Sequence, residues 1–192
     1  LGTARELYAI FSALREFTTV SVPCNGFFVS LYDSVRDVRT ACYAWADGEE
    51  LDVSELPAMP VTTMGPNSRA VRTREVVITN DYMRTQTMGV IVGPDNGLRP
   101  DSSMAVPMSV MGRIVGTIEV QSYEKNVYLP EHVTAMSMAA NLTAVAAAVQ
   151  VDPAWLQFGA GRIAFGGTSR AAVVASVLER APDWSALPAA TP

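Results

Sequence analysis

Ser103-Met104-Ala105-Val106-Pro107-Met108-Ser109-Val110 and Ile114-Val115-Gly116-Thr117-Ile118-Glu119-Val120-Gln121-Ser122 flank Met111-Gly112-Arg113, and the reading of this stretch decides the fold. Two runs rich in β-branched and apolar residues around a short Gly-containing turn read as an antiparallel hairpin. Pairing Val110 with Arg113 sets a register, because facing residues share a side of the sheet. One face then carries Met104, Val106, Met108, Val115, Thr117 and Glu119. The other carries Ala105, Pro107, Gly116, Ile118 and Val120, which are smaller and suit close helix packing. A slip of one residue would exchange the two faces of a strand.

Downstream, Pro130 at a first helical position opens a helix over Glu131 to about Val151, which Asp152-Pro153 ends. Val133, Met136, Ala140, Ala144 and Ala147 form one apolar stripe of it; Met138, Leu142, Val145 and Val149 form another. A helix apolar nearly all round must be covered on two sides. Its own sheet takes one side, and the N-terminal helix or a second subunit takes the other. Upstream, Thr3-Ala4-Arg5-Glu6 fits a capping box, and Leu7, Ile10, Leu14 and Phe17 continue a helix to about Thr18.

Val22-Pro23-Cys24-Asn25-Gly26 breaks that helix. Phe27–Tyr32 and Val38–Trp45 read as a second hairpin around Asp33-Ser34-Val35-Arg36-Asp37. Pairing Asp33 with Val38 puts Phe27, Val29, Leu31, Cys42 and Ala44 on an aliphatic face. Phe28, Ser30, Tyr32, Tyr43 and Trp45 then share an aromatic, polar-tipped one. Pro57, Pro60 and Gly65-Pro66 make residues 49–66 an irregular connection. Asn67–Thr73 fits a short helix and Glu75–Thr79 a short strand. Tyr82 to Ser102 is a long loop with a helical turn near Thr85–Val90, of a length that is usually functional or mobile. After Pro153 the chain turns to Gly, Ala and Pro, with one helical pattern at Ser169–Arg180. The division is therefore a domain over 3–151 and a tail over 152–192, too small to enclose a core alone.

The chain has 192 residues, 49% of them hydrophobic, and a net charge of −5. Such an apolar fraction argues against disorder, and the acidic balance lacks the basic footprint of a nucleic-acid binder. No apolar run is long enough for a membrane helix, and no basic region with an apolar core precedes Thr3, so neither a span nor a signal peptide is expected. Glu49, Glu50, Asp52 and Glu55 form an acidic cluster that reads as a solvated loop. Cys24 and Cys42, set among apolar residues, read as buried free thiols of a reducing, cytoplasmic compartment. The chain opens at Leu1 rather than Met, which fits a piece of a longer protein.

Motifs of catalysis are weak. Gly159-Ala160-Gly161-Arg162-Ile163-Ala164 matches a dinucleotide fingerprint formally but lacks the strand before it and the second strand after. Arg162–Arg170 has the outline of a helix-turn-helix, which its glycines would break. Asn141-Leu142-Thr143 is a sequon on a helix face. His132 is the lone histidine, with no Ser or Cys motif pointing to it. Nor do His and acidic residues cluster as metal ligands.

Three motifs in order carry a family resemblance. Glu75-Val76-Val77-Ile78-Thr79-Asn80-Asp81 resembles a short strand ending in an acidic residue. Ser102-Ser103-Met104-Ala105-Val106-Pro107-Met108 resembles a Ser-apolar-x-apolar-Pro-apolar strand. Gly112-Arg113-Ile114-Val115-Gly116-Thr117-Ile118-Glu119-Val120 resembles the Gly-x-apolar-apolar-Gly strand that follows. Over about residues 3–150 the chain thus resembles a GAF domain. The resemblance implies an α+β fold, an α/β sandwich with an antiparallel sheet of five or six strands. It implies terminal helices on one face and loops enclosing a small-molecule pocket on the other. It also implies a sensory or regulatory module, dimeric through its terminal helices, beside an effector domain in a longer chain.

The subtypes of that family do not fit. Asn126-Val127-Tyr128-Leu129-Pro130-Glu131 keeps only fragments of the cyclic-nucleotide signature. No Cys lies near the pocket loops for a bilin, and His132 alone could offer haem an imidazole. Residues 46–130 lack the loop cysteines of the relatives that reduce free methionine sulfoxide. Ligand and cofactor identity therefore stay open. The expected site is lined by Phe28, Tyr43, Trp45, Met104 and Glu119, with Asp81, Tyr82 and Ser103 from a lid over 81–103. Aromatic faces beside a carboxylate suit a small ligand. The leading function is a non-catalytic module binding a small molecule, with neither nucleic acid nor membrane as partner. A structural dimerisation module with a degenerate pocket is the alternative, and a thiol redox enzyme at Cys24 or Cys42 is the third reading.

Overall fold

In the computed structural model, which describes residues 2–81 and 98–151, α1 (Gly2–Ser21) leads into the hairpin β1 (Gly26–Asp33) and β2 (Val38–Ala46). The short strands β3 (Glu49–Glu50) and β4 (Met59–Pro60) precede α2 (Pro66–Thr73) and β5 (Val77–Thr79). The second hairpin, β6 (Ser102–Val110) and β7 (Arg113–Ser122), is followed by α3 (Pro130–Val151). The strands form one antiparallel seven-stranded sheet in the order β3-β2-β1-β7-β6-β5, with β4 paired to β2. This is the α+β architecture that the resemblance implies. The two-residue strands in the 49–66 connection are additions to it. Glu49 and Glu50, expected in a loop, form a charged edge strand, which discourages pairing with another chain.

Local chemistry sets the turns. Met111 and Gly112 both sit at positive φ, 49° and 74°, the type I′ geometry that matches strand twist. In the first hairpin Asp33 Oδ1 accepts the amides of Val35 (2.9 Å) and Arg36 (3.1 Å). That Asx-type turn closes the loop.

Two β-bulges overturn the registers expected from the sequence. Val110 does face Arg113, but Ser109 faces Ile114 while Met108 faces Gly116, so Val115 is an extra residue. Likewise Asp33 faces Val38, yet Ser30 faces Ala41 while Val29 faces Tyr43, and Cys42 is extra. Each bulge shifts the pairing by one and exchanges the two faces beyond it. Gly116 belongs to this distortion. A Cβ there would lie 2.2 Å from Ser30 O and 2.4 Å from Met108 Cε.

The corrected faces are distinct in character. Phe27, Val29, Met104, Val106, Met108, Ile118 and Val120 are buried in one core with Phe11 and Leu14 of α1 and Met136, Ala140 and Ala144 of α3. Burial of each large side chain of this kind stabilises by about 1.5–3 kcal/mol. The alanines let α3 lie close to β6 and β7, while α1 packs mainly on α3. On the opposite face α2 covers β5, β6 and β7, with Ala70 packed among Val77 and Ala105.

Candidate functional site

The face under α2 is a grid of small and polar side chains. Thr117, Glu119 and Gln121 alternate along β7. On one side β1 presents Ser30 opposite Thr117, Phe28 opposite Glu119 and Gly26 opposite Gln121. On the other, β6 presents Pro107, Ala105 and Ser103 to the same three residues. Gly26 has a steric reason. The Phe28 ring folds back so that a Cβ at Gly26 would lie 2.9 Å from it.

Glu119 is the centre. It is 4% exposed, and its Oε2 accepts a hydrogen bond from Asn67 Nδ2 on α2 while Oε1 accepts one from Gln121 Nε2 at 3.2 Å. A carboxylate in mid-strand, nearly out of water, needs such donors. Among the described residues six buried side-chain polar atoms have no partner, and three of them, Asn67 Oδ1, Ser103 Oγ and Thr117 Oγ1, lie on this face. Buried polar atoms are usually paired, so three on one face of a sheet mark it as unusual.

α2 is pinned over this face by a cation. Arg39 donates from Nε (3.2 Å) and Nη2 (3.1 Å) to Ser68 Oγ and from Nη1 to Ser30 Oγ (3.0 Å). Ser68 Oγ lies 2.6 Å from Thr63 Oγ1. Pro66 at the first helical position starts α2, and Arg74 ends it in the left-handed region at φ 61°. This start turns Asn67 and Ser68 toward the sheet together with Ala70 and Val71.

The sequence-derived site divides between the two faces. Phe28, Ser103 and Glu119 share the α2 face. Tyr43, Trp45 and Met104 belong to the helical face, because the bulge at Cys42 reverses β2 and the bulge at Val115 reverses β7 against β6. The Tyr43 ring lies 5.9 Å from Tyr8, 6.3 Å from Phe11 and 6.0 Å from Phe27. Trp45 is half-buried with the Arg15 guanidinium 5.8 Å above its ring, and Met104 is fully buried. Asp81 is exposed beyond β5. Tyr82, most of the expected lid and the tail with its glycine motif lie outside the described residues. Asn67, Thr117, Ser68 and Arg39 were not legible as site residues. The spacing of Asn67 with Ala70 and Val71 on one helix face could have pointed to the first.

Other candidates resolve into structural roles. His132 Nδ1 accepts the Leu129 amide at 3.1 Å, which caps the start of α3. Cys24 Sγ donates to Gly26 O and Cys42 Sγ to Val29 O, both at 3.3 Å. Burial pushes each thiol from 9.0 to about 12. Thiols so shifted are poor nucleophiles. Among the described residues no group of His, Cys, Asp and Glu could hold a metal ion. Nor is any helix among them long and apolar enough to cross a membrane.

A family model described as GAF domain matches residues 7–148. No curated protein matches the sequence. Among solved structures, type II free methionine-R-sulfoxide reductase from Thermoplasma acidophilum is similar, 16% identical over 76% of this chain and 94% of that one, TM-score 0.60. The GAF domain of an Acinetobacter phosphoenolpyruvate-protein phosphotransferase is 12% identical over 79% and 95%, TM-score 0.58. The second GAF domain of DevS from Mycobacterium smegmatis is 15% identical over 78% and 99%, TM-score 0.55. At such identities the likeness is one of fold.

Proposed function

The chain belongs to the GAF domain family, and from that premise we propose that it is a non-catalytic regulatory module. It binds a small molecule against the Glu119 face and transmits the change through α1 and α3, as a cytoplasmic homodimer joined to an effector. The observation that carries this reading is the set of orphaned buried atoms, Asn67 Oδ1, Ser103 Oγ and Thr117 Oγ1, around a buried carboxylate. A bound molecule would satisfy them, and the half-buried Phe28 ring beside Glu119 supplies an apolar wall.

Transmission has a simple geometry. Thr117 and Glu119 face the site, while Ile118 and Val120 between and beyond them are fully buried in the core shared with Met136 and Ala140. Any displacement of β7 by a ligand is therefore felt by α3. A redox enzyme, suggested by the reductases of like fold, is disfavoured by the raised, partly buried thiols of Cys24 and Cys42.

Native mass spectrometry of the purified protein, followed by a ligand-observed NMR screen of cationic, neutral and anionic fragments, tests the reading. Binders whose signals vanish in Glu119→Ala are expected. A folded protein for which no compound of any charge shows Glu119-dependent binding would overturn it and favour the structural dimerisation module.

A further inference from the structure

We infer that Asn67 is the specificity-determining residue of the Glu119 face and that the ligand is a hydrogen-bond donor there, an amide or amidine rather than a carboxylate. The inference rests on the proposed ligand-binding reading and adds the chemistry of the ligand to it.

Both Glu119 oxygens act as acceptors, Oε2 from Asn67 and Oε1 from Gln121. Whatever else Glu119 meets, the Asn67 amide must turn its NH2 toward Oε2, as it does. The other end of the same planar amide is then an oxygen, and its orientation is not free to invert. Asn67 is 9% exposed and its Oδ1 has no partner. A buried carbonyl oxygen of this kind lacks a donor, and only an N–H or O–H can supply one. Thr117 and Ser103 add hydroxyls that accept or donate as required, so they set no preference. The fixed choice lies with Asn67 Oδ1, a buried acceptor without a donor. A ligand carboxylate would bring a further acceptor against it, whereas an amide or amidine nitrogen would supply the donor.

Benzamidine, benzamide and benzoate are near-isosteric planar probes with decreasing donor capacity, and their ring suits the Phe28 wall. Titration of each into the 15N-labelled protein, followed on amides of β7 and the side-chain amide of Asn67, reads the preference. Benzamide and benzamidine are expected to perturb these signals with affinities at least tenfold above benzoate. In Glu119→Gln the glutamine can donate as well as accept, so the Asn67 amide is released from its fixed orientation. The preference of benzamide over benzoate should then shrink to within threefold while the protein stays folded. A merely structural Asn67 would leave that ratio unchanged. Benzoate binding as well as or better than benzamide on the same residues would overturn the donor assignment and leave the ligand-binding reading standing. Silence from all three probes would also overturn it, while the wider fragment screen decides separately whether the face binds anything.

Discussion

Asn67 on α2 donates to Glu119 on β7, so a helix and a strand 52 residues apart in sequence share one buried polar contact. Asn67 is 9% and Glu119 4% exposed, so water replaces a lost partner poorly at either. Asn67→Ala and Glu119→Ala should each lower stability by about 1–3 kcal/mol, the scale of a lost buried hydrogen bond. The double variant should lose less than the sum, because each single change already breaks the contact. Urea unfolding of the four proteins measures the coupling, and strictly additive losses would contradict the contact.

Thr117 offers the opposite test. Its hydroxyl is fully buried and unpartnered, and Val has nearly the same shape. Thr117→Val is expected to raise stability by about 1 kcal/mol in the ligand-free protein, since a desolvated hydroxyl is replaced by a methyl. A stabilising change that also weakens fragment binding is the pattern of a residue kept for function. Calorimetric melting that gives a lower Tm for Thr117→Val would contradict the assignment.

Both cysteines predict the alkaline behaviour. Burial lifts Cys24 and Cys42 from 9.0 to about 12 in the folded protein. Below pH 9 both states keep the proton and the thiols add no pH dependence. Between pH 9 and 12 the unfolded chain loses protons that the folded one retains, so stability must fall as pH rises. Burial also raises Tyr128, which acts in the same direction. Replacing both cysteines with Ala should flatten the stability curve over that window, measured by urea unfolding at stepped pH. An unchanged slope would mean that the thiols ionise normally in the fold.

How much of this was legible in the sequence can be judged from single residues. The hairpin turn at Met111-Gly112 and the first-turn Pro130 were readable, because each has a local backbone cause. The faces were not, because Val115 and Cys42 look like ordinary strand residues and nothing in their side chains announces a bulge. Gly116 was the one hint. A glycine inside a strand often marks a bulge or a close backbone approach, and here it marks both. Glu119 entered the expected site as a carboxylate grouped with Met104, Tyr43 and Trp45, from which the bulges separate it. Asn67 did not enter it, since its importance comes from a contact that only the folded chain brings together.

Assembly follows from α3. Met138 and Leu142 are half-buried and Val145 is 52% exposed, so among the described residues the second apolar stripe stays partly uncovered as far as Val145. A homodimer through this stripe is expected, and Val145→Glu should shift it to monomer in sedimentation velocity at micromolar concentration. Identical sedimentation of the two proteins would contradict a dimer through α3.

The measurement closest to the central claim is methyl NMR on the side of the sheet that the ligand does not touch. With a Glu119-dependent binder at saturation, the Ile118 and Val120 methyls and the Met136 methyl should shift along with residues of the α2 face. Shifts confined to Phe28, Asn67 and Glu119, with Ile118 and Met136 unmoved, would contradict transmission through β7 to the terminal helices.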